Sequence, residues 1–324
     1  MSIAGSSHQD RYRTGGGVVR ELGSVSRTNI KEEESMATNT SNTKWQELFE
    51  DVLQIISEQA KLKKPFKTKT GYAKFMNLEE SEIMGIISTA IKVLKSKINE
   101  YIPNDKNNLK NSKSRGKFER HIEISTKRYF ANQLLFKLED PLERSITAAI
   151  NLDIYNQCNI LSGVNDSSSQ GKRGSVDIID LRKKNCLRII ELKQWGNKAD
   201  NPLIAMLEAL SYYYALKKMI VVDDGNFTNY KRSEYRLHVL APSTYYEYWG
   251  TKPNSYKKLE NIMNAVLHEA SDNDVIISND VLEMSKEEFA NMIRGVKESY
   301  NNISEENKEK LRSAYLESIG AECS

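Results

Sequence analysis

Apolar residues recur every three or four positions along two long segments in the first third of the chain, a spacing typical of helices with one buried face. The first segment opens with the pair Thr43 and Gln46, which have the spacing of a capping box, and continues to Ile56. The second runs from Leu78 to Tyr101, with glutamates near its start and lysines near its end, as the helix dipole favours. These patterns predict a helical N-terminal module over residues 41–115.

The period changes to two in the middle of the chain, which predicts strands. The stretch Gly174–Gln194, GSVDIIDLRKKNCLRIIELKQ, is predicted to form two short strands joined by a polar turn. The first strand carries Asp177, and the second carries Glu191 and Lys193. Because side chains alternate along a strand, Glu191 and Lys193 are expected on the same face.

Helix and strand signals flank this pair of strands. Residues 140–143 combine an N-cap aspartate with proline in the first turn, and residues 200–202 repeat this signal. Further strands are predicted at residues 159–164 and 235–240. The resulting order, helix-strand-strand-strand-helix-strand, predicts an α/β core over residues 116–250.

The two ends of the chain show no chemical motif. Residues 1–40 are rich in small, polar and charged residues without periodicity, so a disordered leader is predicted, and Met36 is an alternative start. Residues 251–324 are predicted to be mainly helical.

The charge balance is nearly even, with 47 basic and 44 acidic residues, so any nucleic-acid surface is expected to be local. Three widely spaced cysteines (Cys158, Cys186 and Cys323) form neither a disulfide framework nor a metal-ligand pair, which favours a reducing compartment. The sequence lacks an apolar run of ~18 residues and a secretion signal. A cytoplasmic location without membrane contact is therefore expected.

Asp177 and Glu191, on neighbouring strands, have the chemistry to share one hard cation. Mg²⁺ prefers oxygen ligands and usually takes one or two protein carboxylates. A lysine beside them, such as Lys193, can steady an attacking water or the charge that develops on a phosphate. This set of residues is typical of metal-assisted phosphodiester hydrolysis.

The spacing of Asp177, thirteen residues and then Glu191-Leu192-Lys193 resembles the PD-(D/E)XK nuclease superfamily. The lead-in to Asp177 and the segment IIELKQW are also similar to that superfamily, whereas Val176 stands where its name has proline. The resemblance covers roughly Asp140 to Ser243. It implies a restriction-endonuclease-like αβββαβ core with a mixed central sheet, flanked by N- and C-terminal helical extensions.

The same resemblance implies roles for individual residues. Asp177, Glu191 and the Leu192 carbonyl would hold Mg²⁺, for which Mn²⁺ could substitute, and Lys193 would be the catalytic lysine. Glu143 matches a further acidic ligand of the family by position, although it could simply cap its helix.

Other interpretations stay open at several positions. Glu191 and Lys193 could form a cross-strand or solvent-facing ion pair of an ordinary hairpin. Asp180 is a rival for Asp177, although its turn position suits a bond to the residues that follow. Lys172 and Arg173 could grip phosphates or form a solvated hairpin tip, and Gln194 could shape a nucleic-acid groove.

The segment Lys61–Lys74 contains six lysines and no acidic residue, together with Phe66 and Tyr72. It could be a phosphate-contacting loop whose aromatic rings stack on bases. It could instead be a solvated connection, and the sequence favours this second interpretation.

These observations predict a Mg²⁺-dependent nuclease, with DNA as the expected partner and endonuclease action as the expected mode. The alternative is a catalytically silent nuclease-fold module that binds nucleic acid or a protein. The sequence leaves several points open: whether the substrate is DNA or RNA, whether cleavage is endo- or exonucleolytic, and what the specificity and pathway are. It also leaves open the oligomeric state, for which a homodimer is one possibility.

Overall fold

The computed structural model describes residues 44–102, 139–150, 153–159, 175–222, 228–250, 254–294, 296 and 300–320, and all structural statements below concern these residues. Within them lie nine α-helices: α1 (Lys44–Gln59), α2 (Lys69–Met76), α3 (Glu80–Tyr101), α4 (Glu139–Ile150), α5 (Pro202–Val222), α6 (Ser243–Trp249), α7 (Ser255–Glu269), α8 (Lys286–Met292) and α9 (Glu305–Ser318). The described strands are β1 (Ile154–Asn159), β2 (Ser175–Asp180), β3 (Cys186–Leu192), β4 (Glu234–Pro242) and β5 (Val275–Leu282).

The five strands form one mixed sheet in the order β1-β2-β3-β4-β5. Strands β1, β2 and β3 pair antiparallel, with Ile178 opposite Ile190, whereas β3, β4 and β5 run parallel, with Leu192 beside Leu240. All seven residues of β3 are buried, as expected for a central strand covered on both faces. The predicted α/β class with a mixed central sheet is therefore confirmed.

Helix α5 covers one face of the sheet. It is apolar on almost every side, and such a helix has to be buried all round. One side of α5 packs on β3 and β4 and the other packs on α3, so the N-terminal helices share one hydrophobic core with the sheet.

Helices α4, α8 and α9 cover the opposite face. Their apolar residues, among them Leu142, Phe289 and Leu311, form a second core with Ile178 and Ile190 of the sheet. Among the described residues, no helix has both the length and the apolar character that crossing a membrane requires.

The prediction for the first strand was wrong in position. The strand lies at Ile154–Asn159, whereas residues 159–164 were predicted, and residues 160–164 lie outside the described part of the chain. The sequence of β1 is IYNQCN, in which polar residues hide the alternation that usually marks a strand. Its pairing with β2 defines this strand instead.

Side chains of α7 cover the outer edge of β5. The amide of Asn264 bonds both backbone groups of Ile277, accepting from its N–H at 3.0 Å and donating to its carbonyl at 2.8 Å. Glu260 accepts from the N–H of Asn279 at 2.8 Å, and Lys257 donates to the carbonyl of Asn279 at 2.9 Å. These bonds satisfy backbone groups that an edge strand otherwise leaves unpaired.

Candidate active site

Asp177, Glu191 and Lys193 meet where β3 ends. Continuing the β2–β3 register by one residue from the pair Ile178–Ile190 places Asp177 across from Glu191. The Asp177 carboxylate accepts a hydrogen bond of 2.8 Å from the backbone N–H of Leu192, which fixes its position. Glu191 and Lys193 are each only 3% exposed, so their ion pair does not face solvent, in contrast to an ordinary surface hairpin.

The Lys193 ammonium is surrounded by carboxylates. Its Nζ lies 2.6 Å from Oε1 of Glu191, 3.4 Å from Oε2 of Glu208 and 3.6 Å from Oδ2 of Asp200. Glu208 comes from α5, and Asp200 from the loop before that helix. Three carboxylates thus lie within 4 Å of one buried ammonium, and the charge of a fourth, Asp177, acts on Glu191.

The pKa of Glu191 is raised well above its usual range. Burial is the largest cause, the neighbouring charges of Asp177 and Glu208 add to it, and Lys193 opposes it. The second carboxylate oxygen of Glu191, Oε2, is buried and has no hydrogen-bond partner. A buried oxygen of this kind is costly unless a proton or a cation satisfies it.

These features fit a hard cation. Asp177, Glu191 and the Leu192 carbonyl would supply oxygen ligands, the type that Mg²⁺ prefers, and Glu191 Oε2 has no hydrogen-bond partner. In the described ranges, no group of three or more His, Cys, Asp or Glu residues is arranged to hold a metal. The ligand set would therefore be two carboxylates and a carbonyl, with water completing the shell.

The remaining predicted site residues are Glu143, Gln194, Lys172 and Arg173. Glu143 is buried on α4, the helix that packs on the opposite face of the sheet from α5, and its role as a ligand stays a prediction. Gln194 lies two residues after the end of β3 and is half-buried. Lys172 and Arg173 lie outside the described residues.

Sequence analysis missed Glu208 and Asp200. Glu208 is the one acidic residue in α5, whose other residues are mostly apolar, and this isolation was a usable signal. The hydroxyl of Tyr212, one turn further along the helix, donates to Glu208 at 3.4 Å. Burial and the nearby carboxylates raise the pKa of Tyr212 well above its usual range, so the hydroxyl stays protonated.

Trp195 packs on α8. Its indole stacks on Phe289 with ring centres 5.4 Å apart. Its N–H donates to the carbonyl of Met284 at 2.8 Å. Trp195 therefore fixes the loop after β3 to the opposite face of the sheet.

Asp180 belongs to a separate buried network. Its carboxylate accepts bonds of 2.9 and 2.6 Å from the guanidinium of Arg182 and one of 3.3 Å from that of Arg188. It also accepts from the backbone N–H of Arg182, which is the turn role expected from the sequence. Burial alone would raise the pKa of Asp180, but the hydrogen bonds and charges of the two arginines hold it below its usual value.

We expect Asp180→Asn to destabilise the protein by about 3 kcal/mol, because it leaves the buried Arg188 without a balancing charge. Since the folded-state pKa is lowered, the stabilisation by Asp180 is present above the ordinary aspartate pKa and is lost as pH falls through the folded value. The difference in unfolding free energy between wild type and variant should therefore shrink between pH 7 and pH 3. Urea titrations at both pH values measure it, and a constant difference would contradict the ion-pair argument.

Comparisons with known proteins were made at three levels. They covered protein-family models, curated protein sequences and solved structures. None of the three gave a match for this chain.

Proposed function

We propose that this protein is a Mg²⁺-dependent nuclease of the PD-(D/E)XK superfamily that hydrolyses phosphodiester bonds in DNA. One observation carries the proposal: Asp177, Glu191 and Lys193 converge at the end of a buried central strand, with one oxygen of Glu191 left unsatisfied. Three charged residues of a motif rarely converge in this way by accident, because burying each charge is costly.

The order of elements supports the same assignment. Helix α4, strands β1 to β3, helix α5 and strand β4 follow one another, with antiparallel pairing up to β3 and parallel pairing of β3 with β4. This is the αβββαβ order expected for a restriction-endonuclease-like core. Helices α1–α3 and the segments after β4 are then additions to that core.

In this proposal Asp177, Glu191 and the Leu192 carbonyl hold the metal. A bound Mg²⁺ supplies a lowered pKa for a coordinated water and a counter-charge for the phosphate. Lys193 donates a hydrogen bond to the attacking water or to the scissile phosphate, where negative charge grows in the transition state. Asp200 and Glu208 lie within 4 Å of its ammonium and hold it at the end of β3.

A catalytically silent binding module is the second candidate. The close contact between Lys193 and Glu191 favours it, because this pair neutralises part of the buried charge without a metal. The unsatisfied Oε2 of Glu191 and the surplus of carboxylates weigh against it.

Cleavage of end-labelled duplex DNA, single-stranded DNA and RNA of one sequence tests the proposal directly. We expect DNA cleavage with Mg²⁺ or Mn²⁺ and none with EDTA. An Asp177→Asn protein purified in the same way controls for contaminating nucleases. Absence of metal-dependent cleavage on all substrates would favour the silent module, and equal cleavage by the variant would contradict the assigned site.

A further inference from the structure

The lysine-rich segment at the end of α1 lies next to the candidate active site. Its polypeptide turns sharply between α1 and α2, where Thr68 bonds the carbonyl of Pro65 at 2.8 Å and caps α2. Gly71 packs so closely here that a Cβ would lie 2.2 Å from the Pro65 carbonyl oxygen. The backbone of the turn is therefore closely packed at Gly71, while its lysine side chains are exposed.

One hydrogen bond ties this turn to the loop between β3 and α5, residues 193–201, here called the catalytic loop. The amide of Asn201 in this loop donates to the carbonyl of Phe66 at 3.1 Å. The hydroxyl of Tyr245 of α6 donates to the carbonyl of Asp200 in the same loop at 2.9 Å. Asp200 in turn lies 3.6 Å from the Lys193 ammonium. A continuous chain of contacts thus leads from the lysine-rich turn to the proposed catalytic lysine.

Basic side chains from two parts of the chain meet at the ring of Tyr248. Lys69 of α2 and Lys198 of the catalytic loop both lie over the ring of Tyr248, at 4.6 and 5.1 Å from its centre. Three further exposed lysines, Lys63, Lys64 and Lys67, lie in the turn itself. Together these five residues are called the lysine rim, and in the described structure none of them forms an ion pair with a carboxylate.

We propose that the lysine rim binds the phosphate backbone of duplex DNA and guides it to the candidate active site. This inference rests on the proposed nuclease function, because it assigns the rim's partner from the phosphodiester chemistry next to it. An acidic centre alone would repel a polyanion, and unpaired lysines beside it supply the attraction that phosphate binding needs. The N-terminal helices then contribute directly to substrate binding.

The aromatic residues indicate a duplex. Phe66 and Tyr72 are each 1% exposed and pack on Phe75 and Trp249, so neither can stack on a base. Proteins that hold single strands usually combine basic residues with exposed aromatic rings, whereas contacts to duplex DNA are mostly made to phosphates. The half-buried ring of Tyr248 has the ammonium groups of Lys69 and Lys198 over it, so the rim offers charge more than a stacking surface and fits a paired backbone.

Equilibrium binding of a fluorescent duplex to Asp177→Asn protein in EDTA tests the rim without any need for cleavage. The test variant is Lys69→Gln with Lys198→Gln. The matched control is Lys183→Gln with Lys184→Gln, two exposed lysines in the β2–β3 turn at the start of β3. That turn is about 20 Å from the end of the strand, from seven residues at roughly 3.3 Å each.

We expect the test variant to bind about tenfold more weakly or worse at 100 mM KCl and the control to bind like the parent protein. The slope of the logarithm of the binding constant against the logarithm of the salt concentration should become shallower by about 0.9 for each lysine lost from a phosphate contact. A Lys69→Arg, Lys198→Arg protein should keep both affinity and slope, since it keeps the charges. Lys63→Gln, Lys64→Gln and Lys67→Gln together should add a further loss.

Three outcomes would overturn the proposal. The first is an equal loss of duplex affinity in the test and control variants, and the second is an unchanged salt dependence of binding in the test variant. The third is tighter binding of single-stranded DNA than of duplex, weakened by the same rim substitutions. The same variants can be tested for binding to anionic lipid vesicles. If the Lys69→Gln, Lys198→Gln substitutions weakened vesicle binding but left duplex binding intact, the proposal would also be overturned. A different result would contradict the proposed nuclease function alone. If the protein bound duplex DNA through the rim but did not cleave it in Mg²⁺, the nuclease proposal would be refuted and the rim would still be a DNA-binding surface.

Discussion

Asp177→Asn is expected to abolish metal-dependent cleavage while leaving the protein folded. Replacing a residue that merely orients a metal ligand typically costs ~10- to 100-fold, so loss of a ligand itself should exceed ~100-fold. Asparagine retains an oxygen that can accept the hydrogen bond from the Leu192 N–H, so this buried donor stays satisfied. The substitution also removes one of the charges that raise the pKa of Glu191.

Thermal unfolding of this variant gives an independent measurement. Without metal, Asp177→Asn should unfold at the wild-type temperature or above it, because repulsion within the carboxylate cluster is reduced. Added Mg²⁺ should raise the unfolding temperature of the wild type and have little effect on the variant, since ligands that bind only the folded state stabilise it. Full cleavage activity in the variant would remove Asp177 from the site.

Lys193→Met should reduce the rate of the chemical step by about 10²–10³, which corresponds to about 3–4 kcal/mol. Methionine keeps most of the apolar stem of lysine and removes the ammonium. Duplex binding in Ca²⁺ should change much less, because phosphate contacts are spread over many residues. Removal of the ammonium also leaves Glu191, Glu208 and Asp200 without their shared partner, so the metal-free variant should be less stable than wild type.

Single-turnover cleavage in Mg²⁺ and equilibrium binding in Ca²⁺ separate these effects. Lys183→Met, an exposed lysine at the far end of β3, is the control and should match wild type in both assays. Equal losses of cleavage and binding in Lys193→Met would make Lys193 a plain phosphate contact. Cleavage at the wild-type rate would exclude it from catalysis.

The central strands and the three motif residues could be predicted because their signals are local. Strand β3 is mostly apolar and runs into the segment Glu191-Leu192-Lys193, and alternation alone places both charges on one face. Strand β1 could not be placed correctly, because its polar sequence gains its strand structure from pairing with β2.

Residues brought in by tertiary packing were harder to predict. Glu208 lies fifteen positions beyond Lys193 on another element, and only the docking of α5 on the sheet brings them together. The same holds for the lysine-rich segment, whose aromatic residues suggested stacking on bases. Phe66 and Tyr72 instead form part of the core, and only the bond from Asn201 shows that the turn lies next to the site.

The covered edge of β5 has a consequence for how copies of this chain can associate. Strand exchange and fibril growth both begin when an unpaired strand edge accepts a strand from another molecule. At β5, the bonds of Asn264, Glu260 and Lys257 already occupy the backbone groups of residues 277 and 279 that an incoming strand would need. A second copy would therefore have to displace these side chains of α7 before it could lengthen the sheet on this side.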